Sequence, residues 1–391
     1  MTKDELLSLT AGKFASWFGA PHTVAAYAPG RIEVIGNHTD YNEGYVLSAA
    51  INLGTCFLAA PSSDSTCRLV AGDLMKEVRF DMRDVQRDAS NMWANYVKGV
   101  FAKLLPHVHG DKGWNAIFFS SVPLGAGLSS SAALEMGTAL GLCGLYGIAL
   151  PPITIARIGQ AAEHEFAGVK CGVMDQISSL FGKPGHLVKS DFRTLQIETV
   201  PLGSEFCFLV VGTNAKHALV DGAYNERRQS CEQAAAWFSK TLDHPVTALR
   251  DVSMEEWIAH HQEMPPMAAK RSAHVIGENE RVLAGAEALQ RGDVNHFGFL
   301  MFESHHSSIV NFENSCQELD FIVDHARRIP GILGARLSGG GFGGSAVLLV
   351  HPRDTETVAH ALSVPYLRKF GNACTVHTIT PSGGAHLIPK S

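Results

Sequence analysis

The stretch "SSVPLGAGLSSSAALEMGTALG", Ser120 to Gly141, runs from a short strand through a Pro-Gly turn and three serines into a helix. Small residues let a backbone approach a ligand closely. The first turn of the helix behind them offers unpaired N–H groups and a partial positive charge, which together suit phosphate oxygens. Ser129, Ser130 and Ser131 add hydroxyls able to bond phosphate or reach a magnesium ion. The plainer reading of these serines is a helix N-cap.

The helix continues into a run without formal charge, Met136 to Ala156, long enough to raise the question of a membrane span. Gly137, Gly141, Gly144 and Gly147, followed by Pro151-Pro152, argue instead for a buried helix, a turn and a second helix. Around it, strand-like runs such as "TCFLAA" and "AIFFSSV" alternate with helical stretches such as "ITIARIGQAAEHEFAG" and "NERRQSCEQAAAWFSKTL". This alternation predicts a mixed α/β protein. The length of 391 residues predicts two domains sharing a cleft, with a boundary near "TVPLGSEF", residues 199–206. The N-terminal "MTKDELLSLTAGKFASWFG" has helical spacing and no export-signal order, and reads as a surface helix.

A second glycine-rich segment, "ARLSGGGFGGSAVLLV", places five glycines within Gly339–Gly344 directly before an apolar strand. Glycine there permits positive φ and close backbone approach. No Walker-type phosphate loop occurs, and neither segment fits the dinucleotide fingerprint. A nucleotide, if bound, would therefore need a different fold.

Charge and composition narrow the partners. A formal net charge of −6 with 18% charged residues argues against a nucleic-acid surface and for a small-molecule ligand. The eight cysteines form no C-x-x-C pair and predict reduced thiols in a cytoplasmic protein. Nineteen histidines show no zinc spacing, so no transition-metal site is expected.

"PLGAGLSSSAALE" resembles the central phosphate-loop motif of the GHMP kinases, "GRIEVIGNHTDYNEG" (Gly30–Gly44) resembles the galactokinase signature, and "LSGGGFGGSAVLLV" resembles the family's third motif. They stand in the family's order, and connecting segments such as "WANYVKG", "AYNERRQSCEQA" and "FESHHSSIVNFENSCQELD" match as well. The resemblance implies a two-domain GHMP kinase fold of α/β (α+β) class. Its N-terminal lobe, residues 1–200, would resemble ribosomal protein S5 domain 2. Its C-terminal lobe, residues 201–391, would be ferredoxin-like, with the active site in the cleft between them. It further implies an ATP- and Mg²⁺-dependent sugar 1-kinase acting on galactose, with no membrane or nucleic-acid partner, working as a monomer or weak homodimer.

By the same resemblance, Asp175 of "CGVMDQ" is the catalytic carboxylate and Arg31 stabilises charge on the transferring phosphoryl group. Asn37, His38, Asp40, Gly172, Tyr224 and Glu33 would line the sugar pocket. Gly125, Gly127, Leu128 and the three serines would hold ATP phosphates, with Trp93 at the adenine edge. Ser131, with Ser130 as alternative, and Glu163 would face magnesium, which needs few protein oxygens because it keeps several waters. Without the family, Asp175 reads as a helix cap, Glu163 as a solvated helix residue and Trp93 as a core residue.

The signature also departs from the pattern, in which position 33 is usually Asn and position 37 is Glu, accepting a hydrogen bond from the C6 hydroxyl. Here they are Glu33 and Asn37. If both side chains reach one wall, galactose still fits. If only Asn37 does, a C6 carboxylate becomes acceptable and a galacturonate kinase is the rival reading. A non-catalytic sugar sensor is a further alternative, disfavoured by the intact Ser-rich loop.

Overall fold

The computed structural model describes residues 1–169, 171–215 and 220–389. The first half of the chain supplies α1 (Lys3–Phe18), β1 (Val24–Ile35), β2 (Tyr45–Pro61), β3 (Thr66–Ala71), β4 (Lys76–Asp81), α2 (Met92–Leu104) and β5 (Trp114–Ser120). There follow α3 (Ser130–Tyr146), α4 (Pro152–Ala162), α5 (Met174–Phe181), β6 (His186–Asp191) and β7 (Ile197–Pro201). The second half contributes β8 (Cys207–Gly212), α6 (Val220–Thr241), α7 (Met254–His260), α8 (Pro266–Gln290), α9 (Val294–Ser307) and α10 (Gln317–Ala326). It ends with β9 (Ile332–Ser338), β10 (Ser345–Val350), α11 (Thr355–Phe370), β11 (Thr375–Ile379) and β12 (His386–Ile388).

The strands form an eight-stranded sheet, ordered β12-β1-β2-β5-β3-β4 with β6 and β7 branching from β2, and a four-stranded sheet ordered β11-β8-β10-β9. Strand β2 is long enough to serve two neighbours on one edge, pairing β6 through Tyr45–Ser48 and β5 through Thr55–Pro61. Among the described residues all strand pairings are antiparallel except β3 with β5.

Both faces of the smaller sheet are covered, and its sequence reads accordingly as near-continuous apolar runs. Phe208, Val210, Val347 and Leu349 point into a core shared with Ile32, Leu47, Val282 and Phe297, whereas Leu209, Val211, Ala346 and Leu348 pack under α10 and α11. The period of two sorts alternate residues to opposite faces. The shared core thus joins the two sheets, with α8 and α9 contributing to it.

The charge-free segment folds as the two helices α3 and α4. Among the described residues no helix is long and apolar enough to cross a membrane. The glycines of α3 have a packing reason: a Cβ on Gly141 would lie 2.5 Å from the Phe57 ring, and one on Gly144 would lie 3.0 Å from Leu387. Their absence lets α3 settle directly on β2 and β12.

Candidate active site

Strand β1 carries Arg31 into the centre of the molecule, and an irregularity in its pairing with β2 falls between Pro29 and Arg31. The residue at that irregularity is Gly30, where a Cβ would stand 2.4 Å from the carbonyl oxygen of Leu128. The phosphate loop therefore lies against β1, and the Arg31 N–H donates to that same Leu128 carbonyl at 3.0 Å. Irregular strand positions of this kind re-aim side chains.

The Arg31 guanidinium then makes a two-pronged contact with Asp175, Nε to Oδ1 and Nη2 to Oδ2, both 2.8 Å, while Nη1 donates to Gly127 O at 2.6 Å. The planar fork of arginine fits a carboxylate in this way and fixes both partners. Asp175 is the second residue of α5. Its Oδ2 also accepts a short hydrogen bond from the Ser129 hydroxyl.

That last contact changes the reading of the serines. Ser129 precedes α3 in a left-handed conformation, φ 54°, and its side chain makes no capping bond. The hydroxyl is turned to Asp175 instead, so the first turn of α3 keeps its N–H groups open. Ser130 and Ser131 begin the helix, both half-buried, and Gly125 and Gly127 adopt positive φ of 74° and 70°. Ser345 Oγ donates to Ala126 O at 2.9 Å, tying this loop to the second sheet.

Glu163 lies in a single π-helical turn, Glu163–Ala167, that continues α4, and it is buried, contrary to a solvated helix position. Its Oε2 accepts from Cys171 Sγ at 2.9 Å and from Gln176 Nε2 at 3.0 Å. Burial pushes its carboxyl above the usual range, opposed by hydrogen bonds that include one with Ser131. Gln176 Nε2 also donates to Glu135 Oε2 at 2.8 Å, and burial holds the Glu135 carboxyl well above its ordinary value. Glu135 and Gln176 carried no role in the sequence reading. The spacing of Ser131 and Glu135, four residues apart on one helix face, was the signal available for Glu135.

Ser131, in the first turn of α3, offers a hydroxyl near enough to the Glu163 carboxyl to lower its pKa, and Glu163 offers a carboxylate oxygen. This hard-oxygen set fits magnesium, which retains waters and phosphate oxygens. Among the described residues no group of three or more His, Cys, Asp and Glu is placed to cage a metal unaided.

Arg31 and Asp175 open onto a cavity of about 730 Å³ whose lining includes Glu33, Asn37, His38, Asp40, Gly172, Tyr224 and the backbone of Gly339 and Gly340. Trp93 is not in this lining. It stands half-buried at the start of α2 against Phe118, with its indole Nε1 enclosed and unpartnered.

His38 sits at φ 61°, with Nδ1 2.9 Å from the Tyr41 hydroxyl and Nε2 3.1 Å from Gly340 O. Because a carbonyl only accepts, Nε2 carries the proton and Tyr41 donates to Nδ1. Both ring nitrogens are thus engaged by protein. Burial lowers the imidazole pKa to about 4. Asp40 is packed against Gly172 so closely that a Cβ there would lie 2.0 Å from its Oδ2. Burial first, then the negative charges of Glu33 and Asp175, raise Asp40 to about 7. Tyr224, from α6, lies tilted against the His38 ring with centroids 5.1 Å apart and borders Gly340.

Glu33 and Asn37 reach the same wall. Asn37 Nδ2 donates to Glu33 Oε1 at 2.9 Å and to Gly339 O at 2.7 Å, and its Oδ1 accepts from Asn314 Nδ2 at 2.8 Å. Glu33 Oε1 also accepts from the fully buried Arg336 at 3.0 Å. Burial raises the Glu33 carboxyl, opposed by Arg336 and Asn37. Both amide hydrogens of Asn37 are therefore committed, and a carboxylate is present beside it. Arg336 lies in "ARLSGGGFGGSAVLLV" and Asn314 in "FESHHSSIVNFENSCQELD", yet neither segment shows that its side chain meets a partner some 300 positions away.

Three family descriptions match the chain: "Galactokinase galactose-binding signature" over residues 12–61, "GHMP kinases N terminal domain" over 95–183 and "GHMP kinases C terminal" over 286–366. Galactokinase of Roseiflexus sp. (strain RS-1) is 38% identical over 372 residues, covering 95% of each chain. Galactokinase of Chloroflexus aurantiacus is 37% identical over 385 residues, covering 98% of each. The crystal structure of Lactococcus lactis galactokinase complexed with galactose superimposes with a TM-score of 0.91 at 32% identity, covering 97% of this chain and 99% of that one. With the sugar signature, both GHMP domains and full-length relatives in agreement, this chain belongs to the galactokinase family of GHMP kinases.

Proposed function

We propose that the protein transfers the γ-phosphate of ATP to the C1 hydroxyl of D-galactose, giving galactose 1-phosphate and ADP. The observation that carries this reading is the two-pronged Arg31–Asp175 pair, pinned by Gly127 and Ser129 and opening onto a cavity that presents Glu33, Asn37, His38 and Asp40 and has ample room for a sugar. The kinship to galactokinases supports the choice of sugar.

In this reading Asp175 accepts the proton as the C1 oxygen bonds to the γ-phosphorus and the bond to the β,γ-bridging oxygen breaks. Such a base contributes roughly 10²–10⁴-fold. Arg31, held rigid by its contacts, stabilises negative charge on the moving phosphoryl group without reorganising. The open N–H groups of α3 and the glycine turn at Gly125–Gly127 orient the phosphates. Ser131 and Glu163 would hold magnesium, which when bound neutralises phosphate charge. Asp40 accepts from sugar hydroxyls, the acceptor its position against Gly172 leaves facing the cavity.

The wall formed by Glu33 and Asn37 favours a C6 hydroxyl. Asn37 has no amide hydrogen left for a C6 carboxylate, and the charge of Glu33 would repel one, so galacturonate is disfavoured. The phosphate loop is intact, which favours turnover over sensing. The cavity is lined from residues before and after position 201, in keeping with two lobes, 1–200 and 201–391. The last strand, β12, returns to β1. Eight free cysteines fit a reducing cytoplasm.

ADP release across galactose, galacturonate, glucose, N-acetylgalactosamine, arabinose and fucose tests the proposal. Galactose is expected to exceed galacturonate in kcat/KM by at least about 100-fold, the scale set by burying an uncompensated carboxylate. Faster turnover of galacturonate would overturn the substrate, and no turnover of any sugar would favour the sensor.

The position of Asp40 adds a pH prediction. Its carboxyl is raised to about 7, so acid removes the acceptor within the working range. Galactose kcat/KM should fall about tenfold for each pH unit below 7, as for one ionising group in the free enzyme. A profile flat down to pH 5 would show that the Asp40 carboxyl does not titrate between pH 7 and 5.

A further inference from the structure

The loop that carries His38 and Asp40 has its backbone bonded at both ends by one helix that does not line the cavity. We infer that His274, Glu278 and Asn279 on α8 are positioning residues that set sugar affinity by clamping the backbone of residues 36–45. The inference rests on the reading above, in which that cavity takes the acceptor sugar.

Glu278 is fully buried. Its Oε2 accepts from two successive backbone groups, Gly36 N–H at 2.7 Å and Asn37 N–H at 3.2 Å. Its Oε1 accepts from the Ser304 hydroxyl and from Arg281 Nε at 3.2 Å. One turn earlier on the same face, His274 Nε2 donates to the Asn37 carbonyl at 3.2 Å, and its Nδ1 lies 3.0 Å from the Ser307 hydroxyl. Asn279 Oδ1 accepts from Tyr45 N–H at 2.9 Å, at the far end of the loop. Three residues of one helix thus satisfy the backbone at both loop ends.

The loop needs such a clamp. Gly36, His38 and Glu43 all have positive φ, 110°, 61° and 56°, and the last two are not glycine. Residues in such conformations persist only where their surroundings over-determine them. A Cβ on Gly36 would meet Tyr45 O at 2.5 Å and Val46 Cα at 2.7 Å, so the two loop ends are pressed together. Burying a carboxylate is a costly way to stabilise a fold. Two converging N–H groups from one strained turn nevertheless require an acceptor, and a charged one satisfies both at once. Burial opposes the charge, but the guanidinium groups of Arg281 and Arg336 outweigh it and hold Glu278 at about 2. None of the three clamp residues lines the cavity. They also fall between the matched segments 95–183 and 286–366.

The test is Glu278→Gln in the full chain, read by hydrogen exchange and by kinetics. With the amide oxygen kept on Gly36 and Asn37 its N–H group meets the Arg281 donor, and with the amide reversed the N–H meets the backbone donors themselves, so one set of donors loses its acceptor either way. Exchange in a peptide spanning 33–46 should accelerate by about tenfold or more, while one spanning 132–146 in α3 stays within about twofold. The KM for galactose should rise by about tenfold, with kcat and the KM for ATP within about threefold. Asn279→Ala, which removes a single bond, should give a smaller rise in galactose KM of about threefold and serves if the first variant does not fold.

Unchanged exchange in 33–46, or a loss of kcat with galactose KM unmoved, overturns the clamp. The unsubstituted protein is assayed in parallel. If it does not turn over galactose, the substrate reading falls, and the exchange measurement still decides the clamp.

Discussion

Replacing Asp175 by Asn is expected to lower kcat by about 10²–10⁴-fold, equivalent to roughly 3–5 kcal/mol of barrier, while galactose binding measured by calorimetry stays within about tenfold. The amide is close in shape but has no proton-accepting oxygen of comparable strength. It also presents an N–H group to Arg31 or to the Ser129 hydroxyl, both of which donate to the carboxylate. Arg31 would lose a charged partner at a position where its side chain is only 9% exposed, so a lower melting temperature should accompany the change. A variant with near-normal turnover would remove Asp175 as the base.

Gly172→Ala should produce the second large effect, and on a different parameter. Its methyl group would lie 2.0 Å from Asp40 Oδ2, well inside van der Waals contact, so the carboxylate must swing away from its place on the cavity wall. A displacement of that size at a recognition group is worth about 100-fold in kcat/KM for galactose, expressed mainly in KM. The KM for ATP should change by less than about threefold, because the nearest atoms the added methyl would meet belong to Asp40 and not to the phosphate loop. Steady-state kinetics with each substrate varied separates these outcomes. An unchanged galactose KM would mean that Asp40 does not meet the sugar.

Much of the fold was legible because it is written in local periodicity. The alternating apolar runs, the turn residues around Pro123–Gly127 and the charge-free helix broken at Pro151-Pro152 each specify an element from its own neighbours. The three ordered motifs then carried the family. Side-chain roles were less legible where they depend on distant partners. The serines read most simply as an N-cap, yet Ser129 spends its hydroxyl on Asp175, 46 residues away. Glu163 read as a solvated helix residue and is buried, because α4 packs that face against α2 and α5. No pattern marked Glu278, His274, Arg336 or Asn314, since what each contributes is a bond to a segment folded against it.

The amino-acid sequence by itself determined the α/β class, the anion-binding turn before α3 and the family, since these follow from residue order over short windows. Only the tertiary structure decided what the exchanged pair in the sugar signature does. Glu33 and Asn37 are four residues apart, and whether they face one wall depends on the register of β1 and on where β9 and the turn at Asn314 come to rest. Once those segments close over it, Asn37 becomes a bridge with its amide hydrogens spent, and Glu33 keeps a carboxylate at the wall of the cavity. Hydrogen-bond capacity is finite and local, but which groups exhaust it is settled by chain segments some 300 residues away.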